Sequence, residues 1–191
     1  MKRNQILKYT QLSILTALVV ILQLFGNSIT LGGASLNMAI IPIVIGAVVI
    51  GPFAGAFLGA VCGFIVLFTP LGATLLPLEP LGTVIICFAK TALAGFCSGL
   101  VYKAFANKNL KIATLLACSV APIINTAIFI LGSFTLVLEP MKIFAGESGN
   151  SVVVYVLLVL CGVNFVSEFL FAVVLSPAVH FINRLLNKGI E

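Results

Sequence analysis

The chain has 191 residues, of which 61% are hydrophobic and only 8% are charged, against roughly 25% charged in a typical soluble domain. So few charges cannot cover a water-facing surface, which excludes a soluble globular protein, and the high hydrophobicity excludes disorder. The mean hydropathy of +1.27 predicts an integral membrane protein. Ten Lys and Arg against five acidic residues give a net charge of +5, which is typical of cytoplasmic loops rather than of nucleic-acid binding.

The apolar sequence divides into six segments, which predicts an all-α protein with six transmembrane helices in a single membrane domain, residues 1–191. The clearest breaks are Gly51-Pro52 and the proline-rich loop 69–80. The second and third segments are shorter than the ~20 residues that a spanning helix needs, and the last is longer. The predicted spans cover about 9–25, 36–50, 53–68, 81–102, 112–138 and 152–183.

The basic residues predict the orientation of these helices. Six spans put both termini on one side, and only Lys142 falls in a loop of the other side, while Lys90 lies within a span. We therefore expect both termini in the cytoplasm, a retained first helix rather than a cleaved signal peptide, and outward loops at 26–35, 69–80 and 139–151. The remaining basic residues all fall on the N-terminal side: Lys2, Arg3, Lys8, Lys103, Lys108, Lys111, Arg184 and Lys188.

Several kinds of chemistry are missing from the sequence. No phosphate-binding Gly-x4-Gly-Lys-Ser/Thr motif occurs, so we expect no ATPase site. With no Asp, one His and five cysteines scattered through apolar segments, we expect no metal, cofactor or disulfide framework. An intramembrane serine protease using Ser98 and His180 is a distant alternative, because the expected Gly-x-Ser-Gly arrangement is absent.

Ionisable side chains inside membrane spans are costly and mark candidate functional sites. Lys90 lies in the fourth predicted span and Glu168 in the sixth, with Asn164 one helical turn before it and Asn125 in the fifth span. Two interpretations stay open. Lys90 and Glu168 form an ion pair that neutralises two buried charges, or the four residues line a pocket in which Lys90 meets an anionic substrate group.

Four other residues are weaker candidates for the same substrate-binding site. Glu79 lies in the proline-rich outer loop, where it lines the pocket mouth or is simply solvated. Gln23 and Asn27 end the first span on the outer side. They either contribute to the site or are polar simply because they lie at a helix end. Phe129 lies one turn after Asn125 and is a candidate pocket wall.

Small residues recur at helical spacing in three spans, and their repetition by Gly95 and Gly99 in the fourth favours packing for at least some of them. Gly51, Gly55 and Gly59 are four residues apart in the third span, and Ser13 and Ala17 form a shorter version in the first. Such stripes let another helix backbone approach closely. They predict either packing within the chain or a surface that docks another membrane protein.

The segment 41–60, with its Gly51-Pro52-x-x-Gly55-x-x-x-Gly59 core, resembles the substrate-binding S components of energy-coupling factor (ECF) vitamin transporters. The resemblance implies a non-enzymatic subunit in a bacterial or archaeal cell membrane that captures a water-soluble vitamin from outside. It also implies docking on a membrane scaffold protein that carries two cytoplasmic ATPase subunits. In that family small residues of the first helices contact the scaffold, and Ser13 and Ala17 match them.

Three stretches resemble the pantothenate type of S component most: 80–90, 122–132 and 162–168. Pantothenate is a small hydroxylated anion, which suits a lysine with amide side chains. Two alternatives stay open. The ligand is another vitamin, such as riboflavin, folate or pyridoxine, or the protein is a self-sufficient secondary carrier in which Glu168 relays protons.

Overall fold

The computed structural model describes residues 3–27, 30–31, 34–35 and 37–188. These are helical apart from short turns and one pair of antiparallel strands with two residues each. In chain order the elements are α1 (Arg3–Asn27), β1 (Thr30–Leu31), β2 (Ala34–Ser35), α2 (Ile40–Val49), α3 (Pro52–Val66), α4 (Pro70–Leu75), α5 (Pro80–Ala106), α6 (Leu110–Thr135), α7 (Leu138–Glu147), α8 (Val152–Val154), a π-helical segment (Tyr155–Gly162) and α9 (Val163–Lys188).

Within the described residues, four helical stretches are long and apolar enough to cross a membrane: Gln5–Gly26, Pro80–Ala106, Leu110–Thr135 and Val152–Leu186. They correspond to the first, fourth, fifth and sixth predicted spans. The two other apolar helices, α2 and α3, have only 10 and 15 residues. The six-span count, the side of the termini and the single membrane domain therefore stay predictions.

Local sequence signals explain where the helices begin. Proline occupies the first turn of α3, α4 and α5, where its missing N–H costs nothing. The Asn109 side chain accepts hydrogen bonds from the first backbone N–H groups of α6, at 2.9 and 3.3 Å. Thr69 accepts from the Gly72 N–H in the same way, at 3.4 Å, and so starts α4 inside a predicted loop. The predicted loop 139–151 likewise contains most of α7.

The glycines of α3 bring this helix against the backbone of α5. A Cβ atom at Gly55 would collide with the carbonyl group of Gly95, and one at Gly59 with that of Thr91. Both glycines are buried by this contact. The stripe therefore serves packing within the chain, and Gly55 and Gly59 leave no exposed surface there for the predicted scaffold docking. Gly51 precedes α3 with a φ of 137°, a conformation that favours glycine.

Both the core and the outer surface of the bundle are apolar, as expected for a membrane protein. Buried side chains of α2, α6 and α9, among them Val44, Ala117 and Val179, form one apolar cluster. Large apolar side chains also cover the outer surface, for example Phe53, which is 82% exposed. Such a surface is stable in lipid but not in water, which agrees with the predicted membrane location.

Candidate functional site

A cavity of about 130 Å³ lies at one end of the helix bundle. A single water molecule needs only ~10–15 Å³ on such a measure, so the space is large enough for a small organic molecule. It is lined by the last part of α1 and α3, by α4, by the first half of α5, by the second half of α6 and by the start of the last helix. We call this the cavity end. Lys103 and Arg184 lie at least ten residues after the cavity residues of α5 and α9, and Lys111 lies at least ten residues before those of α6, so all three are at the opposite, basic end.

Glu168 is the most buried charged group of the cavity wall, with 2% of its surface exposed. The Nδ2 group of Asn164, one turn earlier on α9, donates to its Oε1 at 2.9 Å. The Nδ2 group of Asn125 on α6 donates to its Oε2 at 3.2 Å. Both hydrogen bonds fix the carboxylate in place, and the one from Asn125 also joins α6 to α9 at the cavity.

The same two amides leave unpaired acceptors beside the carboxylate. Each amide donates an N–H to Glu168, while the Oδ1 atoms of Asn125 and Asn164 are buried without a hydrogen-bond partner among the described residues. A buried unsatisfied polar group costs about 1–3 kcal/mol. Both residues line the cavity, so a ligand that brings N–H or O–H donors would remove this cost.

Lys90 faces the same cavity from α5, and its Nζ atom lies 5.1 Å from the centre of the Phe129 ring, within the range of a cation–π contact. Within the described ranges the only ion pair joins Lys142 to Glu139, at 2.6 Å. The direct Lys90–Glu168 ion pair, one of the two alternatives, is therefore not formed. The two charges line one cavity without touching.

Gln23 also lines the cavity, and only 2% of this residue is exposed. The Cys62 thiol lies 3.4 Å from its Oε1 atom and 3.9 Å from the Oδ1 atom of Asn37. Glu79 is exposed just before α5 and is not among the residues that line the cavity. Asn27 ends α1, but its side chain lies outside the described residues.

The structure thus brings together six of the eight predicted substrate-binding residues: Gln23, Lys90, Asn125, Phe129, Asn164 and Glu168. It also adds cavity residues that the sequence analysis treated as core. Cys87 lies three residues before Lys90, and Cys161 three before Asn164, so helical spacing could have placed each on the cavity face. Asn37 follows a glycine-containing stretch of sequence and has no such spacing to a predicted site residue.

The residues predicted to dock a scaffold have different environments. Ser13 and Ala17 lie on an exposed face of α1, and the Ser13 hydroxyl donates to the Tyr9 carbonyl at 3.0 Å. Gly51 is half-buried at the start of α3. Only the α1 pair therefore presents an open surface of small residues.

The serine protease alternative finds no support in the geometry. The Ser98 hydroxyl is fully buried and donates to the carbonyl group of Ala117 at 2.6 Å. Within the described residues the Nδ1 atom of His180 has no hydrogen-bond partner, so no Ser98–His180 hydrogen bond is formed through it. A nucleophile and its base must lie within hydrogen-bond reach, and here the serine is engaged by the backbone.

An apolar helical bundle with a polar cavity at one end has the features of a multi-pass membrane transport protein. Residues 9–187 match the family described as thiamine transporter protein (Thia_YuaJ), so the chain belongs to this family. No curated protein and no solved structure matches the chain. The family match does not support the predicted pantothenate type, and its description names thiamine instead.

Proposed function

We propose that this protein is the substrate-binding S component of an ATP-driven ECF importer and that its cavity captures thiamine. The observation that carries the proposal is the buried carboxylate of Glu168 beside two unpaired amide oxygens. The family match to thiamine transporter proteins supports the choice of vitamin. The resemblance of segment 41–60 to S components supports the type of importer.

The chemistry of thiamine suits this wall of the cavity. Its aminopyrimidine ring carries an amino group, and its thiazolium ring carries a fixed positive charge. The amino group donates to the free Oδ1 atoms of Asn125 and Asn164, which removes the cost of leaving them unpaired. The Glu168 carboxylate compensates the positive charge in a site largely withdrawn from water, where such interactions are strong. Gln23 extends the polar wall at the end of α1.

The proposed transport cycle needs partners that this chain does not supply. In the proposed orientation, with six spans and cytoplasmic termini, the cavity end faces the outside of a bacterial or archaeal cell. A membrane scaffold protein with two cytoplasmic ATPase subunits then docks on the bundle and supplies the energy. Exposed small residues on α1, Ser13 and Ala17, support a docking surface there, because they allow close approach of another helix.

Uptake of labelled thiamine by cells that express the protein with its scaffold and ATPases tests this function. We expect uptake in wild-type cells and none when the ATPases are disabled by mutation. Ala17→Phe should abolish uptake but leave thiamine binding by the purified protein unchanged. Ala127→Phe is the matched control, because Ala127 is an exposed alanine of α6. Uptake that persists without active ATPases would overturn the proposal in favour of a self-sufficient carrier.

A further inference from the structure

Lys90 offers the cavity an ammonium group to which the described residues supply no hydrogen-bond acceptor. In the same ranges its Nζ atom makes no ion pair, and it lies 5.1 Å from the centre of the Phe129 ring. An ammonium group has three N–H donors and needs acceptors or water around it. The opposite charge in the cavity, Glu168, already accepts hydrogen bonds from Asn125 and Asn164.

Thiamine alone leaves one positive charge in the cavity uncompensated. Lys90 and Glu168 attract each other across the cavity and balance in charge, and the thiazolium ring adds a second cation to the single carboxylate. An unpaired charge away from bulk water costs free energy, and two cations repel each other. The cavity is thus built for a ligand with charges of both signs, a cation or donor group at Glu168 and an anionic group at Lys90.

We propose that Lys90 forms a subsite for an anionic group and that the cavity binds the phosphate monoester of thiamine in preference to thiamine itself. This inference rests on the proposed function. A phosphate monoester carries about −1.5 to −2 charges at neutral pH and three strong acceptor oxygens. Its oxygens accept from the free N–H donors of Lys90, while the aminopyrimidine group donates to the unpaired oxygens of Asn125 and Asn164.

Equilibrium titration of the purified full-length protein with thiamine and with thiamine monophosphate tests the proposal. We expect the wild-type protein to bind the monophosphate at least tenfold more tightly than thiamine. Lys90→Met keeps a similar length but removes the charge, so it should weaken monophosphate binding at least tenfold and abolish this preference. Lys90→Arg should retain the preference, because it keeps a cation with several N–H donors.

Lys142→Met is the matched control, since Lys142 is exposed and paired with Glu139, and we expect it to keep the wild-type preference. Two results would overturn the anionic subsite while leaving thiamine as the cargo. One is wild-type affinity for thiamine equal to or higher than that for the monophosphate, and the other is an unchanged preference in Lys90→Met. Failure of the wild-type protein to bind either compound would overturn the proposed function as well.

Discussion

Helix α5 takes part in two neighbouring regions that are built on opposite principles. On one face, Thr91 and Gly95 meet the glycines of α3 with almost no side chain between the backbones. On another face, Cys87 and Lys90 line an open cavity together with residues of α6 and α9. We call the first region the glycine contact, formed by Gly55 and Gly59 with Thr91 and Gly95.

The glycine contact holds the bundle together, whereas the cavity binds the proposed ligand. In the glycine contact the missing side chains allow the two backbones to approach, and dispersion contacts then stabilise the pair. In the cavity, polar side chains leave the Oδ1 atoms of Asn125 and Asn164 without partners. Changes to the glycine contact should therefore reduce stability, whereas changes to the cavity should reduce ligand binding.

The largest effect is expected from filling the glycine contact. Gly59→Leu places a side chain against the Thr91 backbone, which cannot move out of the way as a flexible side chain could. Overpacking of this kind costs about 3 kcal/mol or more, and the apparent melting temperature followed by circular dichroism should fall by roughly 6–12 °C. Gly146→Leu is the control, because nothing lies within 4 Å of a Cβ there. Equal melting temperatures for the two variants would contradict the glycine contact.

A smaller effect, confined to binding, is expected from neutralising the cavity carboxylate. Glu168→Gln removes the charge and places an N–H group against the amide donors of Asn125 and Asn164. Hydrogen bonds to charged groups contribute about 1.5–3 kcal/mol, so thiamine affinity should fall roughly 10- to 100-fold. Titration calorimetry measures the change, and the exposed Glu147→Gln is the control. An unaltered affinity in Glu168→Gln would remove this carboxylate from the site.

Removing one of the unpaired acceptors should cost less. Asn164→Leu deletes the buried Oδ1 atom that the proposed ligand satisfies, together with one hydrogen bond to Glu168. A loss of about 1 kcal/mol corresponds to roughly fivefold weaker thiamine binding. Asn150→Leu changes an exposed asparagine outside the cavity and should bind as the wild type does. Equal affinities for both variants would show that Asn164 does not contact the ligand.

The smallest functional effect is expected at Ser98. Ser98→Ala deletes the hydrogen bond to the Ala117 carbonyl and should lower stability by about 1 kcal/mol. Thiamine uptake corrected for the amount of protein should not change, because Ser98 does not line the cavity. A specific loss of activity without loss of protein would return the serine protease alternative to consideration.

The sequence was sufficient to find the centre of the cavity but not its extent. Lys90, Asn125, Asn164 and Glu168 stood out because a polar residue within a long apolar segment is costly. Gly55 and Gly59 stood out as well, but their partner could not be predicted, since a stripe of small residues does not specify which helix it meets.

Contacts between distant parts of the chain were beyond the sequence. Gln23 and Cys62 are 39 residues apart and meet only because the bundle brings α1 and α3 together. The family match does not support the predicted pantothenate. Lys90 pointed to an anionic group, but the unpaired acceptors beside Glu168 could not be predicted from the sequence. The same few types of polar residue can bind several small vitamins. Only the positions of the hydrogen-bond donors and acceptors in the cavity distinguish one vitamin from another.

The most direct test of the account is mass spectrometry of the small molecules released from the purified, full-length protein. The account predicts recovery of thiamine or its phosphate ester at close to one molecule per chain, and loss of that molecule in Glu168→Gln. Recovery of a different vitamin, or equal recovery from wild type and Glu168→Gln, would contradict thiamine binding at this cavity.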